Sequence, residues 1–256
     1  MIAIKNTWHD CRLKILRKGS TCLVEVSVAH HITHEPGQFI SMQLFLNDKV
    51  YKRFYSILKS SESNGRQLFT LAISTCGVVS RAINDALLHE AKIFHKAIGL
   101  LTLSQKDALD SLIFCSTNTG IAPYCSYVNS LQLQQYMKDN KHMTVQFLHG
   151  IRTIEDNFLV EEMALNLYRS RVSIHVFVSS NSSARAVSRY NIQYHYGQRL
   201  TDSAGLDIIR KGSVEKTGFC YLCGNPRMIE QAEKYLTETN PSFIIKKEKF
   251  ITLDGK

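Results

Sequence analysis

The chain has 256 residues, a formal charge of +9, and 44% hydrophobic against 21% charged residues. That balance belongs to a globular protein of one or two domains and excludes a disordered chain; with Gly 13 and Pro 4 a collagen-like or low-complexity chain is excluded too. No apolar run approaches a transmembrane span and residues 1–20 lack the apolar core of a signal peptide, so a cytoplasmic protein is expected.

The first hundred residues read as short strands separated by turn signals. CLVEVSVA (22–29) alternates and is rich in β-branched residues, and QFISMQLFL (38–46) follows Pro36-Gly37. RFYSILKS (53–60) and QLFTLAIS (67–74) are separated by a Ser/Asn/Gly turn. Such spacing predicts an all-β barrel or sandwich, and an antiparallel, Greek-key-like β-barrel is the expected form. One helix is predicted over 80–89, from apolar residues at 82, 83, 86 and 87, and 91–103 reads as strand again.

From about residue 104 the texture changes. Strands are predicted at 111–116, 144–150, 172–179, 218–224 and 242–250, alternating with helices at 121–138, 154–169, 200–212 and 226–239. Strand–helix alternation predicts an α/β domain with a doubly wound parallel sheet. The expected division is therefore 1–103 and 104–256.

The seven cysteines are an odd number, and no secretion signal supports a disulfide framework. Cys220 and Cys223 form a CxxC, but no second half follows to complete a zinc site, and no plant-type iron–sulfur spacing is present. His30, His31 and His34 cluster before Pro36 without a fourth spaced ligand, so no metal is expected. A basic chain is compatible with nucleic acid, with phosphate-rich cofactors or with an acidic protein partner.

Several loops carry chemistry. Ser116-Thr117-Asn118-Thr119-Gly120 follows a predicted strand and precedes a helix, a place for either a helix cap or a bound phosphate. His149-Gly150-Ile151-Arg152 ends another strand with a guanidinium suited to phosphate. Cys223-Gly224-Asn225-Pro226 is a turn entering a helix. In Arg53-Phe54-Tyr55-Ser56, alternation puts Arg53 and Tyr55 on one face. Gly77-Val78-Val79-Ser80 opens the barrel helix, with Ser80 the natural cap.

In this order, RFYS, GVVS, NTGIAP, HGIR and CGNPRMI resemble the motif series of the ferredoxin–NADP reductase family, in its short bacterial FAD-containing form. The resemblance runs from Pro36-Gly37-Gln38-Phe39 to Phe250 and implies an FAD-binding barrel followed by an NADP-binding domain. It implies that Arg53 contacts the FAD pyrophosphate, Tyr55 stacks on the isoalloxazine and Ser56 bonds near flavin N5, with Phe54 and Thr70 also at the FAD site. Gly77, Val78, Val79 and Ser80 would meet the FAD phosphates. Thr119 and Gly120 would line the meeting place of flavin and nicotinamide, with Cys223, Gly224 and Asn225 beside the nicotinamide. Gly150, Arg152, Ser179, Ser180 and Arg199 would hold NADP, and Phe250 would cover the other flavin face; Tyr55, Ser56, Cys223 and Phe250 are the implied catalytic set.

Several positions depart from the family pattern, among them Glu90-Ala91 where Gly-Asp is frequent and Ala97-Ile98-Gly99 in place of a Pro-x-Gly loop. Asn118 replaces the first glycine of GTGxAP, and Asn tolerates left-handed backbone. Ser179-Ser180 stands where Ser-Arg is usual, leaving Arg185 or Arg189 to supply the missing cation. The implied activity is electron transfer between NADP(H) and ferredoxin or flavodoxin through FAD. The expected enzyme is a monomer with no nucleic-acid or membrane partner; an oxygenase reductase component and a non-catalytic basic module are the alternatives.

Overall fold

The computed structural model describes residues 7–103, 109–167, 169–180, 186 and 190–249. Its first half is a closed antiparallel barrel of β1 (Trp8–Arg17), β2 (Thr21–Val28), β3 (Phe39–Leu46), β4 (Lys49–Ser63), β5 (Arg66–Ser74) and β6 (Glu90–Phe94), in the order β1-β2-β5-β4-β3-β6 with β6 returning to β1. Alternation builds the interior: Val24, Val26 and Val28 of β2 face Phe69, Leu71 and Ile73 of β5 inside the barrel, while their neighbours face outward. The helix α1 (Val78–Asn84) plugs one end with Val79, Ala82 and Ile83.

The second half is a six-stranded parallel sheet in the order β10-β9-β8-β7-β11-β12. Its strands are β7 (Ser111–Thr117), β8 (Thr144–Ile151), β9 (Val172–Val178), β10 (Ile192–Tyr196), β11 (Gly218–Gly224) and β12 (Ile244–Lys249). Both faces are covered, as a parallel sheet requires. Helices α2 (Ala122–Asn129), α3 (Gln132–Asp139) and α4 (Phe158–Leu165) close one face over Phe114, Phe147 and Tyr221. Helices α5 (Ser203–Ser213) and α6 (Pro226–Thr239) close the other over Ile113, Cys115 and Leu222.

The core of the first face continues into the barrel half, through Leu58, Ala72 and Leu101, so the two halves share apolar packing. Polar contacts add to it: Asn129 Nδ2 donates to the Leu58 carbonyl at 3.1 Å, and the Arg17 guanidinium lies 3.6 Å over the Phe158 ring.

Several predicted elements are revised. β1 and β10 are strands that the sequence reading left without an element; β1 alternates strictly, with Cys11 and Leu13 in and Asp10, Arg12 and Lys14 out. The predicted helix 80–89 is α1, which starts two residues earlier and stops at Asp85, where Ala86 turns left-handed at φ 58°. The predicted helix 121–138 is broken at Leu131, φ 62°, into α2 and α3. Strand β6 ends at Phe94 rather than running to 103.

Candidate functional site

The chain steps outward from β7 through β8, β9 and β10, then returns to place β11 and β12 on the other side of β7. The topological switch point thus lies between β7 and β11, and in open parallel sheets ligands bind beyond the strand ends at that point. Here the loop after β7 and the turn after β11 meet.

Their meeting depends on two glycines. A Cβ on Gly120 would collide with the Cys223 carbonyl oxygen, and one on Gly224, at φ +130°, would come within 2.9 Å of Thr117 N. Thr117 Oγ1 accepts the Asn225 N–H at 2.8 Å, and Asn225 Oδ1 accepts the Arg227 N–H at 2.9 Å, capping α6 with Pro226 at its first turn. Asn118 takes the left-handed conformation at φ 50°, so the side chain at the first glycine position of the motif is accommodated.

A groove of about 540 Å³ lies between these loops and the barrel. Its barrel wall contains Arg53, Phe54, Tyr55 and Ser56 of β4, then Gly77, Val79 and Ser80; its sheet wall contains Thr119, Gly224 and Asn225. With Thr117, Asn118 and Pro226, thirteen residues singled out from the sequence, in four separate segments, line one space. Phe54 is 45% exposed, edge-on to Phe39 at 5.6 Å, and Arg53 Nη1 donates to the Lys52 carbonyl at 3.0 Å. Ser56 is 5% exposed, and its Oγ is buried without a hydrogen-bond partner.

At the opening of α1 the cap is Gly77, not Ser80. Ser80 sits one turn in, and its Oγ accepts the Gly77 N–H at 2.9 Å. A hydroxyl that reaches back in this way satisfies one free N–H of the helix start.

Other singled-out residues lie outside the groove lining. Thr70 is on β5, two positions before the lining residue Ala72, and Val78 is exposed at the barrel end. The Cys223 side chain is buried in the core behind the turn; burial pushes its thiol well up, and the Glu248 carboxylate adds to this. Gly150 pairs with Thr117 at the ends of β8 and β7. Arg152, Ser179 with Ser180, and Arg199 follow β8, β9 and β10, so they stand side by side at the same edge of the sheet. The Ser180 N–H donates to the Arg152 carbonyl at 3.0 Å, and Ser180 Oγ is buried without a partner. Phe250, Arg185 and Arg189 lie outside the described residues.

The groove also holds residues that no candidate segment of the sequence included: Ala72, Ile73, Ser74, Cys76 and Lys249. Lys249 pairs with Glu230 at 2.8 Å. Beside it Glu248, in register with Cys223, accepts the Leu100 N–H at 2.7 Å; burial raises its carboxyl, against the pull of that bond. Cys220 and Cys223 point to opposite faces of β11, so the CxxC is not a chelating pair. Among the described residues no group of three or more His, Cys, Asp or Glu gathers as a metal cage. No described helix is long and apolar enough to cross a membrane.

Residues 114–234 match the model of the oxidoreductase NAD-binding domain family. The flavodoxin/ferredoxin–NADP reductase of Buchnera aphidicola subsp. Baizongia pistaciae is 23% identical, over 90% of this chain and 90% of its own. The anthranilate 1,2-dioxygenase electron transfer component of Acinetobacter baylyi is 21% identical, over 86% of this chain and 59% of its own. A ferredoxin NADP+ reductase from Neisseria gonorrhoeae, solved with bound FAD and NADP, superimposes with a TM-score of 0.70 at 16% identity, over 94% of this chain and 98% of that one. Residues 114–234 of the chain thus resemble the oxidoreductase NAD-binding domain family, the chain shares the two-part fold of the ferredoxin–NADP reductases, and its sequence is similar to theirs over nine-tenths of its length.

Proposed function

We propose that the chain is an FAD-dependent oxidoreductase that passes electrons between NADP(H) and a small one-electron carrier, ferredoxin or flavodoxin. Residues 1–103 are its FAD-binding domain and 104–256 its NADP-binding domain. The observation that carries this reading is the Ser56 hydroxyl, buried and unpartnered on the wall of the groove. Leaving such a group unpaired costs about 1–3 kcal/mol, which a ligand with a polar ring edge would recover. The other lining residues fit the same ligand: the exposed Phe54 and half-buried Tyr55 rings for stacking, the Arg53 cation, and the backbone N–H groups at the start of α1 for phosphates.

A flavin bound there supplies the exchange between two-electron hydride and single-electron transfer. The chain's own residues orient and enclose it. Arg53 and the Gly77–Ser80 turn hold the phosphates, Tyr55 stacks on the ring, and Ser56 bonds its edge. Thr119, Gly120 and the Gly224–Asn225 turn shape the nicotinamide side, with Arg152, Ser180 and Arg199 gripping the NADP phosphates and preferring them over NAD.

The barrel half carries 13 basic and 7 acidic residues, which supports docking of an acidic carrier. The seven free cysteines are in keeping with the cytoplasm. Steady-state dye reduction with NADPH and NADH, run side by side on FAD-saturated protein, tests the reading. Reduction that requires FAD and favours NADPH is expected; no NADPH-dependent reduction would overturn it.

A further inference from the structure

One polar pair is sealed in the core directly behind the groove. Ser116 Oγ and His149 Nδ1 are 2.8 Å apart, and the two residues are 1% and 2% exposed. The strand registers place Cys223, Ser116, His149 and Val176 side by side across β11, β7, β8 and β9. The two ends of this row, Cys223 and Val176, lie in the apolar core; Ser116 and His149 interrupt it. Burial keeps the imidazole neutral, pushing its pKa down to about 3 against a hydrogen bond to Ser116 that raises it.

Two neighbours of this row, Thr117 and Gly224, line the groove. Thr117, next to Ser116, lines it and accepts the Asn225 N–H; Gly150, next to His149, is in register with Thr117; Gly224, next to Cys223, also lines it. A directional bond between Ser116, the last buried residue of β7, and His149 of β8 fixes how the Thr117–Gly120 loop leaves the sheet, which apolar side chains of the same volume would not do.

We propose that Ser116 and His149 are positioning residues, whose hydrogen bond holds the Thr117–Gly120 loop and the Gly224–Asn225 turn in the arrangement that receives the nicotinamide nucleotide. This inference rests on the functional reading above. Neither side chain reaches solvent, so the pair acts through the loop and not on the substrate.

The test compares His149→Leu and Ser116→Ala with His149→Gln, which keeps a hydrogen-bonding group, and with Val176→Ala, which weakens the same row without touching a polar bond. NADP+ binding is measured by calorimetry on the FAD-loaded protein, and amide hydrogen exchange is followed at 117–121 and 224–227. Losing one directional bond should raise the NADP+ dissociation constant about tenfold in His149→Leu and Ser116→Ala. Exchange at those two turns should be faster, and His149→Gln should stay within about threefold of the wild type. Val176→Ala should lower the melting temperature with no change in affinity. Should His149→Leu fail to fold, Ser116→Ala carries the comparison. Unchanged affinity and exchange in Ser116→Ala, or equal weakening in Val176→Ala, would overturn the inference and leave the functional reading standing. A wild-type protein that takes up no FAD would overturn both.

Discussion

Gly120 packs its α-carbon directly against the Cys223 carbonyl, with no room for a methyl group between the two loops at the switch point. The obstacle is backbone, which cannot swing aside as a side chain could. Gly120→Ala should therefore separate the loop after β7 from the turn after β11. A loss of about 1–3 kcal/mol in unfolding free energy is expected, as for overpacking elsewhere. Urea unfolding together with NADP+ calorimetry checks this: both stability and affinity should fall, while FAD retention by the barrel residues should persist.

Ser56→Ala separates function from stability. Its hydroxyl has no partner among the described residues, so its removal should leave stability unchanged or raise it by up to about 1 kcal/mol in the FAD-free protein. The rate of flavin reduction by NADPH in stopped flow should fall about tenfold, equivalent to ~1.4 kcal/mol. A stability loss with unchanged reduction would assign Ser56 to the fold alone.

Arg152→Ala addresses the nucleotide preference. Arg152 stands beside Ser180, whose Oγ is buried without a partner among the described residues, and the β9 end that carries Ser180 in turn neighbours the end of β10 that precedes Arg199. A charge-assisted bond of about 1.5–3 kcal/mol corresponds to a KM for NADPH raised roughly 10- to 100-fold. The KM for NADH should change little, because NADH lacks the 2′-phosphate. Equal effects on the two substrates would place Arg152 away from that phosphate.

Stability should decline in mild acid for a specific reason. Burial holds both His149 and His175 neutral, at about 3 and about 4, with the neighbouring His195 adding to the shift at His175. Below pH ~6.5 the unfolded chain therefore binds protons that the folded chain does not, and stability falls as pH falls, levelling out near pH 4 for His175 and pH 3 for His149. Each such proton costs up to ~1.4 kcal/mol per pH unit. Urea unfolding at pH 7, 6 and 5 should show this slope, and His149→Gln should reduce it by about one proton.

The site was legible where chemistry and turn geometry coincide. Asn118 is the clearest instance: asparagine read as tolerant of left-handed backbone stands at φ 50°. Three of the four groove-lining motifs could be found because each combines a glycine or cap with a strand end, features set by local sterics; Arg53–Ser56 lies inside β4 and is marked by residue type and alternation. Other features depend on tertiary packing. β1 alternates, but its outward residues are so basic that it looks like a charged segment until β2 and β6 pair with it. β10 is a polar edge strand whose Ile192 alone is buried, leaving little hydrophobic pattern to detect. Ser80 looks like a cap by residue type, yet the helix begins at Val78 and Ser80 serves from its first turn. Lys249 enters the groove only because β12 pairs parallel to β11, a long-range registration no local signal carries.

The central claim is that the groove between the barrel and the sheet holds a flavin reduced by a nicotinamide nucleotide. Its most direct test is an anaerobic absorbance measurement on the purified protein, first after addition of FAD and then of NADPH. Bound FAD should give a yellow protein with flavin bands near 450 nm, roughly, as for oxidised flavins in general, and NADPH should bleach them. A protein that stays colourless after incubation with FAD, or whose flavin bands NADPH leaves unchanged, would contradict the account.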